Sequence, residues 1–316
     1  MRITNNMLVD NMLFNLNANL GRLDTLNQQY ATGKKFQVPS DDPIGASKSL
    51  KLNTDLSKVE QYKRNADDAN SWMKETESAL VGIGSVLHRA YELTVEAANG
   101  TYAGDDLIKI KEEIDQLKSH LVQVANSTYA GRHIFSGYKT DLPLLNEGGN
   151  YDLNGKGMKS NEIFEYNVGV SESIKVNTIG IAVFGVGDVN ETDPFSKLEA
   201  TSGTSKSYLI DVFDKLSDAL KINAHDELES SIGRIQNCMN QTLAVRSEIG
   251  AKMNRLELTE KKLDSQVLSV KTLLSKNEDV DMAQVIIDVN TEENIYRASL
   301  AAGAKIIQPS LVDFLR

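Results

Sequence analysis

Cysteine occurs once in these 316 residues, at Cys238, so no disulfide can close within the chain. It neighbours Met239 on a helical flank, where a small packed thiol is expected in preference to a reactive one. Tryptophan also occurs once and proline only five times. Proline breaks helix interiors, and Pro39, Pro43, Pro143, Pro194 and Pro309 leave 44–142 and 195–308 open to uninterrupted helix. No apolar run is long enough to span a bilayer, and no charged segment leads into a short apolar one. The expectation is therefore neither a membrane span nor a cleavable Sec-type leader. Positive charge is in deficit, with 34 Lys and Arg against 44 Asp and Glu, a formal charge of -10 and no basic stripe. Nucleic acid is a poor partner for such a surface.

Catalytic patterns are equally scarce. His88, His120, His133 and His225 show no metal-ligand spacing to one another, to Cys238 or to a carboxylate pair. Gly82-Ile-Gly84 and Gly185-Val-Gly187 lack the remaining glycine of a dinucleotide loop. Asp41-Asp42, followed by Pro43, is more simply a helix cap than a cation site. Asn126, Asn190 and Asn240 open Asn-X-Ser/Thr triplets, which carry no weight without a secretory signal. No enzyme, cofactor or metal is expected.

What the chain does have is heptad periodicity. Leu228, Ile232, Ile235, Met239, Thr242, Arg246, Ile249, Met253, Leu256, Glu260, Leu263, Val267, Val270 and Leu274 step by four and three without a slip, and eleven of these fourteen are apolar. Such a seam marks a long helix burying one stripe against partner helices, at ~1.5 Å per residue about 70 Å of it. Arg246 and Glu260 interrupt the seam too far apart to touch each other, and a role in fixing register against a partner helix is expected. The period recurs in Val9, Leu13, Leu16, Leu20, Leu23, Asn27 and Tyr30. A second seam pairs Val59/Tyr62, Ala66/Ala69, Met73/Thr76, Leu80/Ile83, Leu87/Ala90 and Thr94/Ala97. A third runs Leu107, Ile110, Ile114, Leu117, Leu121, Val124 and Thr128. Gly33 should end the first helix, Asp42-Pro43 start the next, Asn99-Gly100 stop it and Asp105-Asp106 cap its successor.

From Asp141 to Thr204 glycine clusters, and three short runs alternate in the manner of strands: Ile163–Val168, Ser173–Asn177 and Ile181–Phe184. The fold class expected is mainly α, a long-helix coiled-coil bundle formed by the N- and C-terminal parts, with a small inserted β-rich domain that leans on the helices. The division expected is 1–33 with 283–316 as terminal assembly helices, 34–140 with 205–282 as a helical rod, and 141–204 as the insert.

The two ends carry the clearest functional sign. Residues 1–21 hold only Arg2 and Asp10 as charges beside six asparagines, and residues 298–311 hold only Lys305. Low charge, apolar stripes and small residues suit surfaces sealed against neighbouring subunits, and such segments are expected to order on assembly. The assembly positions expected are Ile3, Met7, Val9, Leu13, Leu16, Leu20, Leu23, Ala298, Ala301, Ala302, Ala304, Ile307, Leu311 and Phe314.

Arg2-Ile-Thr-Asn-Asn, Thr32-Gly-Lys-Lys35 leading to Pro39-Ser-Asp-Asp-Pro43, Gly131-Arg-His-Ile-Phe-Ser-Gly137 with Tyr138-Lys-Thr140, and Ala298–Leu315 together give the chain its resemblance. It resembles the bacterial flagellar hook-filament junction family, the third hook-associated protein or FlgL family of the flagellin superfamily. A flagellin-type filament subunit is the alternative, differing at Pro39–Pro43 and at the C-terminal ending. The resemblance implies a structural, secreted subunit of the bacterial flagellum, exported by the type III apparatus with a chaperone and without a cleavable signal peptide. It implies a ring of self-contacts between the first hook-associated protein and flagellin, with the terminal helices forming an inner coiled coil. Head-to-tail contacts on a helical lattice produce such a tube.

Overall fold

The computed structural model describes residues 5–99, 104–153, 157–191, 193–197, 199–201, 203 and 205–306. Its helices are α1 (Asn5–Thr32), α2 (Pro43–Ala98), α3 (Gly104–Ala125), α4 (Gly180–Phe184), α5 (Tyr208–Ile222), α6 (His225–Glu278) and α7 (Met282–Ile306). The strands are short: β1 (Thr128–Tyr129), β2 (Arg132–His133), β3 (Met158–Lys159), β4 (Glu165–Asn167), β5 (Ser173–Lys175) and β6 (Glu199–Ala200). They pair antiparallel as β1-β2, β3-β6 and β4-β5. The protein is thus mainly α with a small β insert. It comprises two compact units, Met1–Val59 with Ser265–Arg316, and Glu60–Asp264.

Helix boundaries follow the punctuation of the sequence. Asp42 Oδ1 accepts from the amides of Ile44 and Gly45 at 3.1 and 2.9 Å, and Pro43 is the first residue of α2. Gly33 follows the last residue of α1. Asp105 and Asp106 lie inside the first turn of α3 and not at its cap, where they favour the positive end of the helix dipole.

In the unit Glu60–Asp264, the α2 stripe reads as expected. Ala66, Ala69, Met73, Thr76, Leu80, Ile83, Leu87, Ala90, Thr94 and Ala97 are all buried. Thr76 and Thr94 are accommodated because each hydroxyl donates to the carbonyl four residues back, Trp72 and Ala90, at 2.9 and 2.6 Å. On α3, Leu107, Ile110, Ile114 and Leu121 are buried. The helix stops at Ala125, so Thr128 leaves the seam and stands exposed at the start of β1. Helix α5 packs against α3, and Asp115 accepts from Ser217 at 2.7 Å across that contact while Lys118 bonds Asp214.

On α6 all fourteen seam positions are buried or half-buried, but the centre of the stripe lies elsewhere at alternate steps. Ser231, Cys238, Val245 and Thr259 are buried, while Ile232, Met239, Arg246 and Glu260 sit half-buried beside them. Ser231, Thr242 and Thr259 satisfy their hydroxyls on the carbonyls of Glu227, Cys238 and Arg255. Small self-satisfied side chains therefore hold the middle, and long ones reach inward from the flank. Arg246 lies 3.9 Å from Glu77, and Glu260 accepts from Asn70 at 3.1 Å, so each meets α2. A break at Asn223, in the left-handed region with φ 54°, separates α5 from α6.

Cys238 is fully buried in this stripe, not on the flank, and desolvation pushes its thiol up to about 12. Ellman's reagent at pH 8 is expected to leave the native thiol untouched and to titrate it in urea. The unfolded thiol ionises from its ordinary value of 9.0, well below the native one. The native advantage is therefore complete below about pH 9 and declines as pH climbs toward 12.

The insert differs from expectation at Ile181–Phe184, which forms the short helix α4 with Ile181, Val183 and Phe184 buried. A continuous apolar run has no alternation to separate strand from buried helix. The insert leans on the helices through specific contacts. Phe135 and Phe184 stack edge to face at 5.7 Å, and Gln241 of α6 donates to Ala182 O at 2.8 Å. Glu172, between β4 and β5, is partly desolvated, yet Lys262 and Arg255 of α6 hold its carboxyl below the usual range. Asn126, just past the end of α3, ties the insert down: its Oδ1 accepts from the Leu144 and Leu145 amides at 2.8 and 3.0 Å, and its Nδ2 donates to Leu145 O at 2.7 Å. Asn126→Ala would strand two amides beside buried side chains, and a loss of about 2–3 kcal/mol is expected in urea unfolding.

Candidate assembly surface

In the unit Met1–Val59 with Ser265–Arg316, α1 and α7 pack against each other. The face α1 offers steps through Val9, Met12, Leu16, Asn19, Leu23 and Leu26, all buried or half-buried. On α7 the matching positions are Val285, Glu292, Tyr296, Ser299 and Gly303. Polar pairs pin the register. Asn19 donates to Ser299 at 3.1 Å, and Arg22 pairs with Glu292 at 2.9 Å, the carboxylate being the buried partner. Gly303 lets the end of the Met12 side chain lie close against α7; a Cβ there would overlap the Met12 thioether and make that flexible side chain shift.

The two helix joints of this unit are laced together. Lys35 N donates to Glu278 O at 2.6 Å and Val280 N to Gly33 O at 3.0 Å, forming a short antiparallel bridge at Lys34 and Asp279. The Lys34 ammonium bonds Asp279 and Glu278 at 2.6 and 3.0 Å, which raises its pKa and lowers that of Asp279. Asn277 reaches Gly45 O and Ser49 at 2.9 and 2.6 Å. Asp41 Oδ2 accepts from the amides of Gln37 and Val38, closing the loop ahead of α2. The Thr32–Lys35 and Pro39–Pro43 segments thus build one joint.

Pairing α1 with α7 leaves a second apolar stripe uncovered. Leu13 and Leu20 are 46% and 47% exposed, and Met7, Phe14 and Tyr30 are exposed beside them. On α7, Met282, Ile286, Ile287, Ile295 and Leu300 stand open, as do Ala298, Ala301, Ala302 and Ala304. Of the expected assembly positions, Val9, Leu16 and Leu23 lie on the paired face. Met7, Leu13, Leu20 and the four alanines lie on open surface. Ile3, Ile307, Leu311 and Phe314 are outside the described residues. Met12, Asn19 and Leu26, adjacent to Leu13, Leu20 and Asn27 in sequence, complete the inner face. The helix carries two stripes one residue apart, and the periodicity alone merges them.

Among the described residues no group of His, Cys, Asp and Glu gathers as a cation site, and no helix is long and apolar enough to cross a membrane. The terminal helices α1 and α7 thus form a pair with an apolar face still open. The chain belongs to the bacterial flagellin family: residues 3–140 match the flagellin N-terminal helical region and 221–315 the C-terminal helical region, together well over half of its length. Flagellar hook-associated protein 3 of Escherichia coli K12 is 29% identical over 287 residues, covering 87% of each chain. Flagellin of Bacillus subtilis is 25% identical over 312 residues, covering 98% of this chain and 97% of its own. The crystal structure of Bacillus cereus FlgL has a similar fold, with TM-score 0.56 and 24% identity over 71% of this chain and 99% of that one.

Proposed function

We propose that this chain is the structural subunit joining hook to filament in the bacterial flagellum, and that it acts by assembly and not by catalysis. The observation carrying this reading is the apolar face left open on α1 and α7, presented by a low-charge helix pair whose own register is already fixed by Asn19–Ser299 and Arg22–Glu292. The greater identity to hook-associated protein 3 than to flagellin favours the junction over the filament.

In this reading the chain forms a ring of its own copies, with the first hook-associated protein on one side and flagellin on the other. It reaches that place outside the cell through the flagellar type III apparatus, escorted by an export chaperone. The open positions Met7, Leu13, Leu20, Ala298, Ala301, Ala302 and Ala304 meet neighbouring subunits. The division into terminal assembly helices (1–33, 283–316), helical rod (34–140, 205–282) and outer insert (141–204) assigns self-assembly to the first. Electron microscopy of a strain lacking this chain tests the reading. Intact hooks without filaments, with flagellin lost to the medium, are expected; filaments of normal length on unmodified hooks would overturn it.

A further inference from the structure

The Gly131–Gly137 segment and Tyr138-Lys-Thr140 are not used by the assembly surface, yet they build a cleft in the unit Glu60–Asp264. Ala130 and Gly131 both have positive φ, 49° and 77°, as a tight two-residue hairpin between β1 and β2 requires. This turn sets Arg132 at the rim of a cavity of about 360 Å³ that is also lined by Trp72, Tyr138, Phe164, Glu165 and Tyr166. Aromatic rings dominate it. Phe164 meets Trp72 edge to face at 5.4 Å and Tyr166 at 6.2 Å, and Tyr138, 59% exposed, is anchored by its hydroxyl on Ile163 O at 2.8 Å.

Trp72 is 6% exposed, and its indole N–H is shielded from the opening, so the ring meets the cleft through carbon and not through its donor. The Arg132 guanidinium is exposed at the rim. Across the same opening Glu165 supplies acceptor oxygens, one of them engaged by Ser173 at 2.7 Å.

We propose that this cleft binds a short saccharide. A pyranose has C–H faces that lie against aromatic rings and hydroxyls around its edge that both donate and accept. The cleft presents aromatic side chains from Tyr138, Phe164 and Tyr166, a donor from Arg132 and an acceptor from Glu165. Its volume stands at the small end of ligand pockets, which range over roughly 300–1,000 Å³, and suits a mono- or disaccharide unit. Guanidinium and carboxylate on the same rim balance in charge, which fits a neutral or singly charged sugar better than a polyanion.

Trp72 is the only tryptophan, so its emission reports this cleft alone. The full chain is titrated with chitotriose, a neutral N-acetylhexosamine oligomer, and with the acidic 3′-sialyllactose, tetraglutamate serving as the peptide-like comparison. Saturation-transfer NMR on the same samples detects binding that leaves the emission unchanged. A saturable response to at least one saccharide is expected in the millimolar range, weakened at least tenfold in Tyr138→Ala and in Arg132→Ala with far-UV circular dichroism unchanged. A response to sialyllactose alone, lost in Arg132→Ala, assigns the cleft to acidic sugars; a response to chitotriose assigns it to neutral ones. Silence toward both sugars in both measurements, a response to tetraglutamate alone, or binding indifferent to Tyr138→Ala overturns the proposal. Its failure would leave the junction reading untouched, because the cleft shares no residue with the α1–α7 surface.

Discussion

Leu263→Asp is expected to unfold or severely loosen the unit Glu60–Asp264. Leu263 is 2% exposed at the centre of the α6 stripe. Truncation to alanine at such a position costs about 2–5 kcal/mol, and a carboxylate costs more because it is buried without a partner. Against a domain stability of about 5–15 kcal/mol, the aspartate variant should lose its cooperative transition or shift it far to low urea. Lys261, two residues away, is exposed and pairs with Glu257 one turn back at 2.7 Å. Lys261→Ala should stay within about 0.5 kcal/mol of the parent. Equal effects at the two positions would show that the buried face of α6 lies elsewhere.

That contrast rests on a pattern legible in the sequence, though not legible throughout. The α2 stripe could be read residue by residue because its buried positions are mostly apolar and its two threonines bond their own helix. On α6 the same rule misleads at every second step. A search for the larger apolar residue selects Ile232 and Met239, whereas Ser231 and Cys238 hold the centre. Nothing in hydrophobicity marks Ser231 as buried; its hydroxyl is tolerated there because it bonds Glu227 O. On α1 the difficulty is different, because Leu13 and Met12 are both apolar and only the partner helix decides which turns inward. Asn19 is the informative residue there, buried because Ser299 and Arg22 satisfy its amide. The strand pattern failed at Ile181–Phe184 for want of alternation. The aromatic cleft was not foreseeable from periodicity, since Trp72, Arg132 and Phe164 come from three separate stretches of chain.

The second large effect is expected from charges placed on the open stripe of α1. Leu13→Asp combined with Leu20→Asp should leave a soluble chain of unchanged helicity, because both residues are exposed in the subunit. It should nevertheless abolish filament attachment, since each carboxylate would have to be buried between subunits. Leu16→Asp, on the paired face, should instead separate α1 from α7 within the subunit. The α1–α7 pair is docked within the subunit but keeps one apolar face open, so amide exchange across 5–30 and 285–305 should slow further once that face is covered by assembly. Protection of both segments that is the same in the free subunit and in the flagellum would mean that the open face is not an interface. Motile cells carrying the double aspartate variant would remove Leu13 and Leu20 from the interface.

On the junction reading, copies of this chain lie between hook and filament and nowhere along the filament. Val170, 89% exposed between β4 and β5 and distant in sequence from both terminal helices, offers a position for an epitope tag that leaves the assembly surface intact. Immunogold labelling of flagella isolated from cells carrying the tagged chain measures that place directly. Gold confined to a narrow band at the hook–filament boundary is the result predicted, and gold distributed along the length of the filament would contradict it.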